Sequence, residues 1–130
     1  MTMETAFRAR LLDDSTISAI AGNFIDWVIR PQKSPFPSVV LQVRNDDHSQ
    51  HMAGFDTFHQ ATIQASCFSL DYKQASELRQ AIINVASQAA IKDGVEFLRG
   101  FIGLVVDRGQ NTDTGFVHQC LVDLIIWHDA

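Results

Sequence analysis

Lysine is scarce in this sequence, cysteine is scarcer, and no apolar run is long enough to cross a bilayer. Three lysines lie among 10 Lys+Arg, against 15 Asp+Glu, giving a net charge of −5. Such a balance argues against non-specific nucleic-acid binding, in which neutralising phosphates dominates affinity. A transmembrane helix needs about 18 consecutive apolar residues, and none occurs. The first twelve residues carry Glu4, Arg8 and Arg10, so no secretory signal is expected there. Cys67 and Cys120 form no C-x-x-C pair and are expected to be free thiols of a reducing compartment. G-x-S-x-G, P-loop and G-x-G-x-x-G patterns are missing too, which removes sequence support for acyl-transfer and nucleotide chemistry. What remains is ordinary globular material. It has 130 residues, 46% hydrophobic and 19% charged, enough for one domain with its own core.

The periodicities predict an α+β fold: a mostly antiparallel sheet of about five strands, one long amphipathic helix packed on it, and a shorter N-terminal helix. Met3, Phe7 and Leu11 share one helical stripe over Thr2–Asp13, and Ser15 or Thr16 would cap a short second turn ended by Gly22-Asn23. Phe24–Ile29 reads as a short strand. Pro31, Pro35 and Pro37 then enforce a connection, because proline cannot donate to a strand ladder. Ser38–Arg44 and Phe58–Ser69 alternate apolar and polar residues as half-buried strands do. Asp71 stands at a helix N-cap position, and Ala75, Leu78, Ile82, Val85, Ala86 and Ala89 predict a helix over Tyr72–Ala90. Asp93-Gly94 marks a turn. Phe97–Arg108 and Phe116–His128 form a hairpin around a polar turn at 109–115.

Candidate chemistry is thin. Asn45–Thr57 is the longest polar stretch, and long loops in compact domains are often binding segments. Within it, Asp46, Asp47, His48, His51 and Phe55 are candidate partner contacts, expected to order against a neighbouring molecule. His48 and His51, near Asp46, Asp47 and Asp56, match no standard zinc spacing and read as solvated residues; no metal is expected. Cys67 and Cys120 fall in the apolar registers of their strands and read as small core residues, not nucleophiles. No catalytic residue and no cofactor is assigned.

The last strand is apolar on both faces. Phe116, Cys120, Val122, Leu124 and Ile126 lie on one, and Val117, Leu121, Ile125 and Trp127 on the other. One long helix covers only one face of a sheet, and the N-terminal helix could cover part of the second. The remaining patch is one a monomer rarely leaves open. Val117, Leu121, Ile125 and Trp127, or the neighbouring edge of their sheet, are therefore candidate subunit-interface positions.

Several short patterns recur in one known order. They are Leu11-Leu12 with Ile17, Ile20, Gly22-Asn23 and Phe24-Ile25; Pro31, Pro35 and Pro37 leading to Val39-Val40 and Gln42; Thr62-Ile63-Gln64-Ala65-Ser66-Cys67 before Tyr72, Ala75, Leu78 and Ala81; and Asp113-x-Gly115 before Leu121-Val122-Asp123-Leu124 and Trp127. In this order the chain resembles the tail completion (tail terminator) proteins of long-tailed bacteriophages and prophages. It departs from that pattern in a longer Asp26–Ile29 segment, a longer polar loop, and Cys67-Phe68 where an acidic residue is common. The resemblance implies a non-enzymatic morphogenetic protein without cofactors. Its partners would be itself, as a ring and usually a hexamer; the tail tube protein, whose polymerisation it stops; and the head connector. Neither membrane nor sequence-specific nucleic-acid binding is implied, and the location would be the host cytoplasm during assembly and then the virion tail. The alternatives are a head–tail stopper or adaptor, or a small enzyme or ligand-binding domain with residues 45–57 as a lid.

Overall fold

The computed structural model describes residues 2–28, 36–47, 50–51, 54–55, 58–113 and 115–129. The elements run α1 (Met3–Asp13), α2 (Ser15–Ala21), β1 (Ile25–Trp27), β2 (Ser38–Asp47), β3 (Gln50–His51), β4 (Gly54–Phe55), β5 (His59–Ser69), α3 (Tyr72–Ala86), β6 (Ala90–Lys92), β7 (Val95–Phe97), β8 (Phe101–Thr112) and β9 (Gly115–His128). The fold is α+β as expected, but the main sheet is mixed and has seven strands. β1 pairs parallel with β2, and every other pairing is antiparallel. The strand order is β1-β2-β5-β9, and the far side of β9 is shared. β8 runs along most of it, and β7, carrying β6, meets its end at His128.

Local chemistry fixes the helix ends. The Thr2 hydroxyl accepts from Thr5 N at the start of α1. Asp14, not Ser15 or Thr16, caps α2: its carboxylate accepts from Ile17 N at 3.0 Å, while its own N–H donates to Leu11 O. Asp71 caps α3 by accepting from Lys73 N. α3 stops at Ala86, four residues before the point its periodicity predicts. The cause is tertiary. The Arg10 guanidinium of α1 reaches the end of α3 and donates to Val85 O at 2.7 Å and Gln88 O at 2.9 Å. Gly100 N donates to Ala86 O at 2.9 Å. Carbonyls that a longer helix would bond internally are thus taken by groups distant in sequence.

With α3 ended, Ala90–Lys92 is free to pair with Val95–Phe97. The turn between them has positive φ at both Asp93 (50°) and Gly94 (81°), as the tight hairpin turn requires. The single strand expected over Phe97–Arg108 is consequently two. It breaks at Gly100, where the chain crosses the end of α3 so closely that a Cβ would stand 2.4 Å from Ala86 O. Only glycine fits there. β8 and β9 also extend further than expected, to Thr112 and from Gly115, which shrinks the polar turn to two residues.

All three helices cover one face of the sheet. Met3, Phe7 and Leu11 of α1, Ile17 and Ala21 of α2, and Ala75, Leu78 and Ile82 of α3 join Val39, Leu41, Ala61, Ile63, Ala65, Cys120, Val122, Leu124 and Ile126 in one core cluster. The N-terminal helix therefore does not cover the second face, because its apolar stripe is used up beside α3. That second face presents Gln42, Arg44, Gln64, Ser66, Gln119 and Asp123 among its apolar residues. Arg44 reaches across β5 to Asp123, Nη1 to Oδ2 at 2.9 Å.

Arg10 is also stacked over the Phe97 ring, 4.9 Å from its centroid, and burial depresses the guanidinium's pKa. Arg10→Ala removes both bonds, although Val85 O keeps the Gln88 N–H, and should cost about 3 kcal/mol in urea unfolding, by the worth of hydrogen bonds to a charged group. Both bonds come from the one nitrogen Nη2, so Arg10→Lys, whose ammonium also carries several donors, should recover part of the loss while forfeiting the planar stacking on Phe97. Leu78 is fully buried, so Leu78→Asp should abolish the cooperative thermal transition, an unpaired buried charge costing several kcal/mol.

Candidate functional site

The sheet has one long outer edge, β8. It pairs with β9 from Phe101↔Ile125 to Thr112↔Gly115, with one bulge between Ile102 and Val105. No strand pairs with its other side among the described residues. β8 is exposed almost throughout, and its first half is apolar: Phe101 56%, Ile102 48%, Leu104 57% and Val105 47% exposed. Edge strands of this length are ordinarily shielded by lysine, proline or a covering segment. β8 contains neither residue type.

A polar clamp holds this edge to the body of the protein. Arg79 Nη1 of α3 donates to Asp107 Oδ1 at 2.5 Å, and the Tyr72 hydroxyl donates to Asp107 Oδ2 at 2.9 Å. The Tyr72 hydrogen bond, with Arg79, holds the Asp107 carboxyl below the usual carboxylate range. The same hydrogen bond raises the Tyr72 phenol. Beside the clamp, the His118 ring meets Phe116 (centroids 4.8 Å apart) and Tyr72 (5.6 Å), and the Phe116 ring lies over Gly109. β8 is thus a fixed strand, not a fraying end.

The sequence-predicted interface residues sit one strand further in. Val117 and Leu121 are buried within the chain, outside the main core cluster, and Ile125 and Trp127 are half-buried. β9 is apolar on both faces because it is central, between β5 and β8. Among the described residues, the longest run of exposed apolar side chains belongs to the neighbouring edge. Its signal in the sequence was the run Phe101-Ile102-Gly103-Leu104-Val105-Val106, apolar at successive positions, which no half-buried strand needs.

The polar loop is partly built. β2 continues through Asp46 and Asp47, opposite Ala61 and Gln60, and His51 and Phe55 lie in the short β3–β4 pair. The expected loop thus begins three residues later than predicted, because β5 offers β2 a longer ladder. His48 and Asp56 lie outside the described residues. Cys67 and Cys120 face each other across β5 and β9 as buried free thiols. Burial raises both pKa values, that of Cys120 to about 11, so neither is a ready nucleophile. Among the described residues no three His, Cys, Asp or Glu side chains gather, and no helix is long and apolar enough to cross a membrane. An open hollow of about 400 Å³ beside α1 is lined by Arg10, Asp13 and Lys92. Its charges are already engaged, Lys92 with Asp13 and Arg10 with the end of α3.

No family model matches the chain, and no curated protein matches its sequence. Its fold does match a solved structure. A chain from the virion of a native gene transfer agent (GTA) particle superposes with a TM-score of 0.65 at 10% sequence identity, over 98% of this chain and 95% of that one.

Asp107 links the clamp to pH. A carboxyl whose folded pKa is depressed contributes its stability fully above the unfolded value and loses it as pH falls through the folded one. The phenol works in the opposite sense, its raised pKa giving a contribution lost as pH rises past its ordinary range. The protection of β8 amides, measured against their intrinsic exchange at each pH, should therefore fall in acid below the carboxylate range and again in strong alkali. In Asp107→Ala, exchange at Val105–Arg108 should accelerate roughly two- to fivefold at neutral pH, the scale of an exposed ion pair, while β5 stays protected. Nuclear magnetic resonance hydrogen exchange reads both.

Proposed function

We propose that this chain is a structural subunit of a phage-type virion, and within that class a tail terminator. It would form a ring, a hexamer by the resemblance, on the finished tail tube, stop addition of tube subunits and present the surface that joins the head connector. The observation that carries the reading is β8, a long, clamped, apolar edge strand whose outer side no strand pairs among the described residues. A protein that must stay folded alone and then join identical neighbours needs a surface of this kind. The likeness of fold to a chain of a phage-like virion, end to end, adds support.

In this reading the protein is not an enzyme and carries no cofactor. Work is done by surfaces: the β8 edge and its neighbours Ile125 and Trp127 toward the next subunit, and the segment Asp46, Asp47, His48, His51 and Phe55 toward the tube or head partner. The net charge of −5 makes closure easier in salt, since like-charged subunits repel less when screened. The protein would be made and assembled in the host cytoplasm and end in the virion tail.

Reconstitution tests this. Purified protein added to polymerising tail tube subunits should cap growth and narrow the distribution of tube lengths, with rings at tube ends in negative-stain images. Tubes that elongate normally with bare ends would remove the terminator reading; binding to head-connector rings alone would replace it with a stopper or adaptor role.

A further inference from the structure

A single row of residues crosses the sheet on its helix-covered face. Val39 of β2 stands opposite Cys67 of β5, Cys67 opposite Cys120 of β9, and Cys120 opposite Asp107 of β8. Val39, Cys67 and Cys120 belong to the core cluster, and Asp107 meets Arg79 and Tyr72 of α3 on the same side. The fold thus brings together two thiols that lie far apart along the chain. Directly opposed Cα atoms in an antiparallel ladder stand about 4.5 or 5.5 Å apart, according to whether the pair exchanges hydrogen bonds. Both spacings fall within the ~4.4–6.8 Å that a disulfide spans.

The two thiols are not equivalent. Cys67 lies two strands in from the β8 edge and Cys120 one strand in. Between Cys120 and solvent stands Asp107, whose side chain is half exposed. The charged and titratable groups acting on Cys120 are Asp107 from β8, Arg79 and Tyr72 from α3, and Cys67 from β5. His118, next along the same face of β9, meets the Tyr72 ring. Burial, and after it the hydrogen bond that the Cys120 thiol donates to Asp107, keep that thiol protonated, while Arg79 opposes both. The thiolate is therefore scarce at neutral pH, and its chemistry is slow, not barred. The clamp that holds β8 also restrains the outer thiol.

We propose that Cys67 and Cys120 form an oxidation site, a dithiol that a small peroxide converts into a cross-strand disulfide between β5 and β9, with Asp107 as the group that restrains it. The Cys120 thiolate, nearer the edge, attacks hydrogen peroxide. The O–O bond breaks; one oxygen stays on Sγ as a sulfenic acid, and the other leaves as hydroxide and takes up the thiol proton as water. Cys67 Sγ then attacks Cys120 Sγ. The S–S bond forms, and the sulfenic oxygen leaves with the Cys67 proton as a second water. The two sulfurs lose two electrons, which the peroxide gains. The disulfide closes a loop that contains α3, β6, β7 and β8, and long loops gain most from closure in the chain-entropy account. The site itself does not depend on the virion reading. Only its timing rests on that reading: reduced during assembly in a reducing cytoplasm, closed after release.

Oxidation of the purified chain tests it. Reduced protein is incubated with hydrogen peroxide, and its thiols are counted in denaturant against time. Both thiols should disappear together, the mass should fall by two hydrogens, and digestion should release a peptide linking Cys67 to Cys120. The chain should stay monomeric on non-reducing gels. Its thermal midpoint should rise by about 5–10 °C and return with dithiothreitol. Cys67→Ala should instead leave a sulfenic acid on Cys120, trapped by dimedone, with no such rise. Asp107→Asn should oxidise roughly tenfold faster, and the pH at which the rate levels off should move down. Looser packing alone would raise the rate without moving that pH, and would overturn the restraining role of Asp107. Thiols that persist in the folded chain while urea-unfolded chain is consumed would overturn the site. So would sulfinic acid on Cys120 with Cys67 intact, or disulfide-linked dimers. A chain that closes its disulfide but fails to cap tail tubes would remove the terminator reading and leave the site standing.

Discussion

The end of α3 is the point on which the rest of the structure turns. A buried guanidinium needs acceptors, and Arg10 Nη2 finds two in Val85 O and Gln88 O, at and just past the end of α3. The positive charge also sits at the negative end of the helix dipole. That contact sets where α3 stops, and its stopping point sets where β6 and β7 can pair. Phe97, at the end of β7, packs under the same guanidinium, and Gly100 then threads the chain past Ala86 toward β8. One buried charge therefore positions the N-terminal helix, the long helix and the origin of the edge strand together.

The exposed apolar edge follows from the same packing. With the helices on a single face, the core is complete on that side, and Val117 and Leu121 are buried on the other by their own neighbours. The longest exposed apolar run among the described residues is an edge, not a face. Edges differ from faces in what they select. A face accepts many shapes, whereas an unpaired strand edge demands another strand, with direction and spacing fixed by backbone geometry. This is a suitable basis for an assembly that must build the same contact repeatedly, and the clamp of Tyr72, Arg79 and Asp107 limits the entropy lost when the edge is used.

The strong local signals were legible in the sequence alone. The alternation through Ala61, Ile63, Ala65 and Cys67 marked β5, the stripe through Ala75, Leu78 and Ile82 marked α3, and Asp93-Gly94 marked its turn, because each is a short-range steric or solvation preference. The α+β class and the lack of a visible catalytic motif were equally local. The apolar residues on both faces of β9 showed that it is covered on both sides. What covers it was not legible, since a strand between two strands and a strand against a subunit carry the same pattern.

Tertiary structure decided the rest. It ended α3 at Ala86 although Ala89 continues the stripe, and Arg10 and Gly100 bond carbonyls there, Val85 O and Ala86 O, that a further turn of helix would use. It divided one expected strand into β7 and β8, placed Cys67 opposite Cys120, and set all the helices on the same face. Of the two expected locations, β9 or the neighbouring edge, it left the apolar residues of the edge β8 exposed. Sequence determines what each residue prefers within a few neighbours. Which strand lies at the edge depends on the order in which distant segments pair, and no preference of a single segment encodes that order.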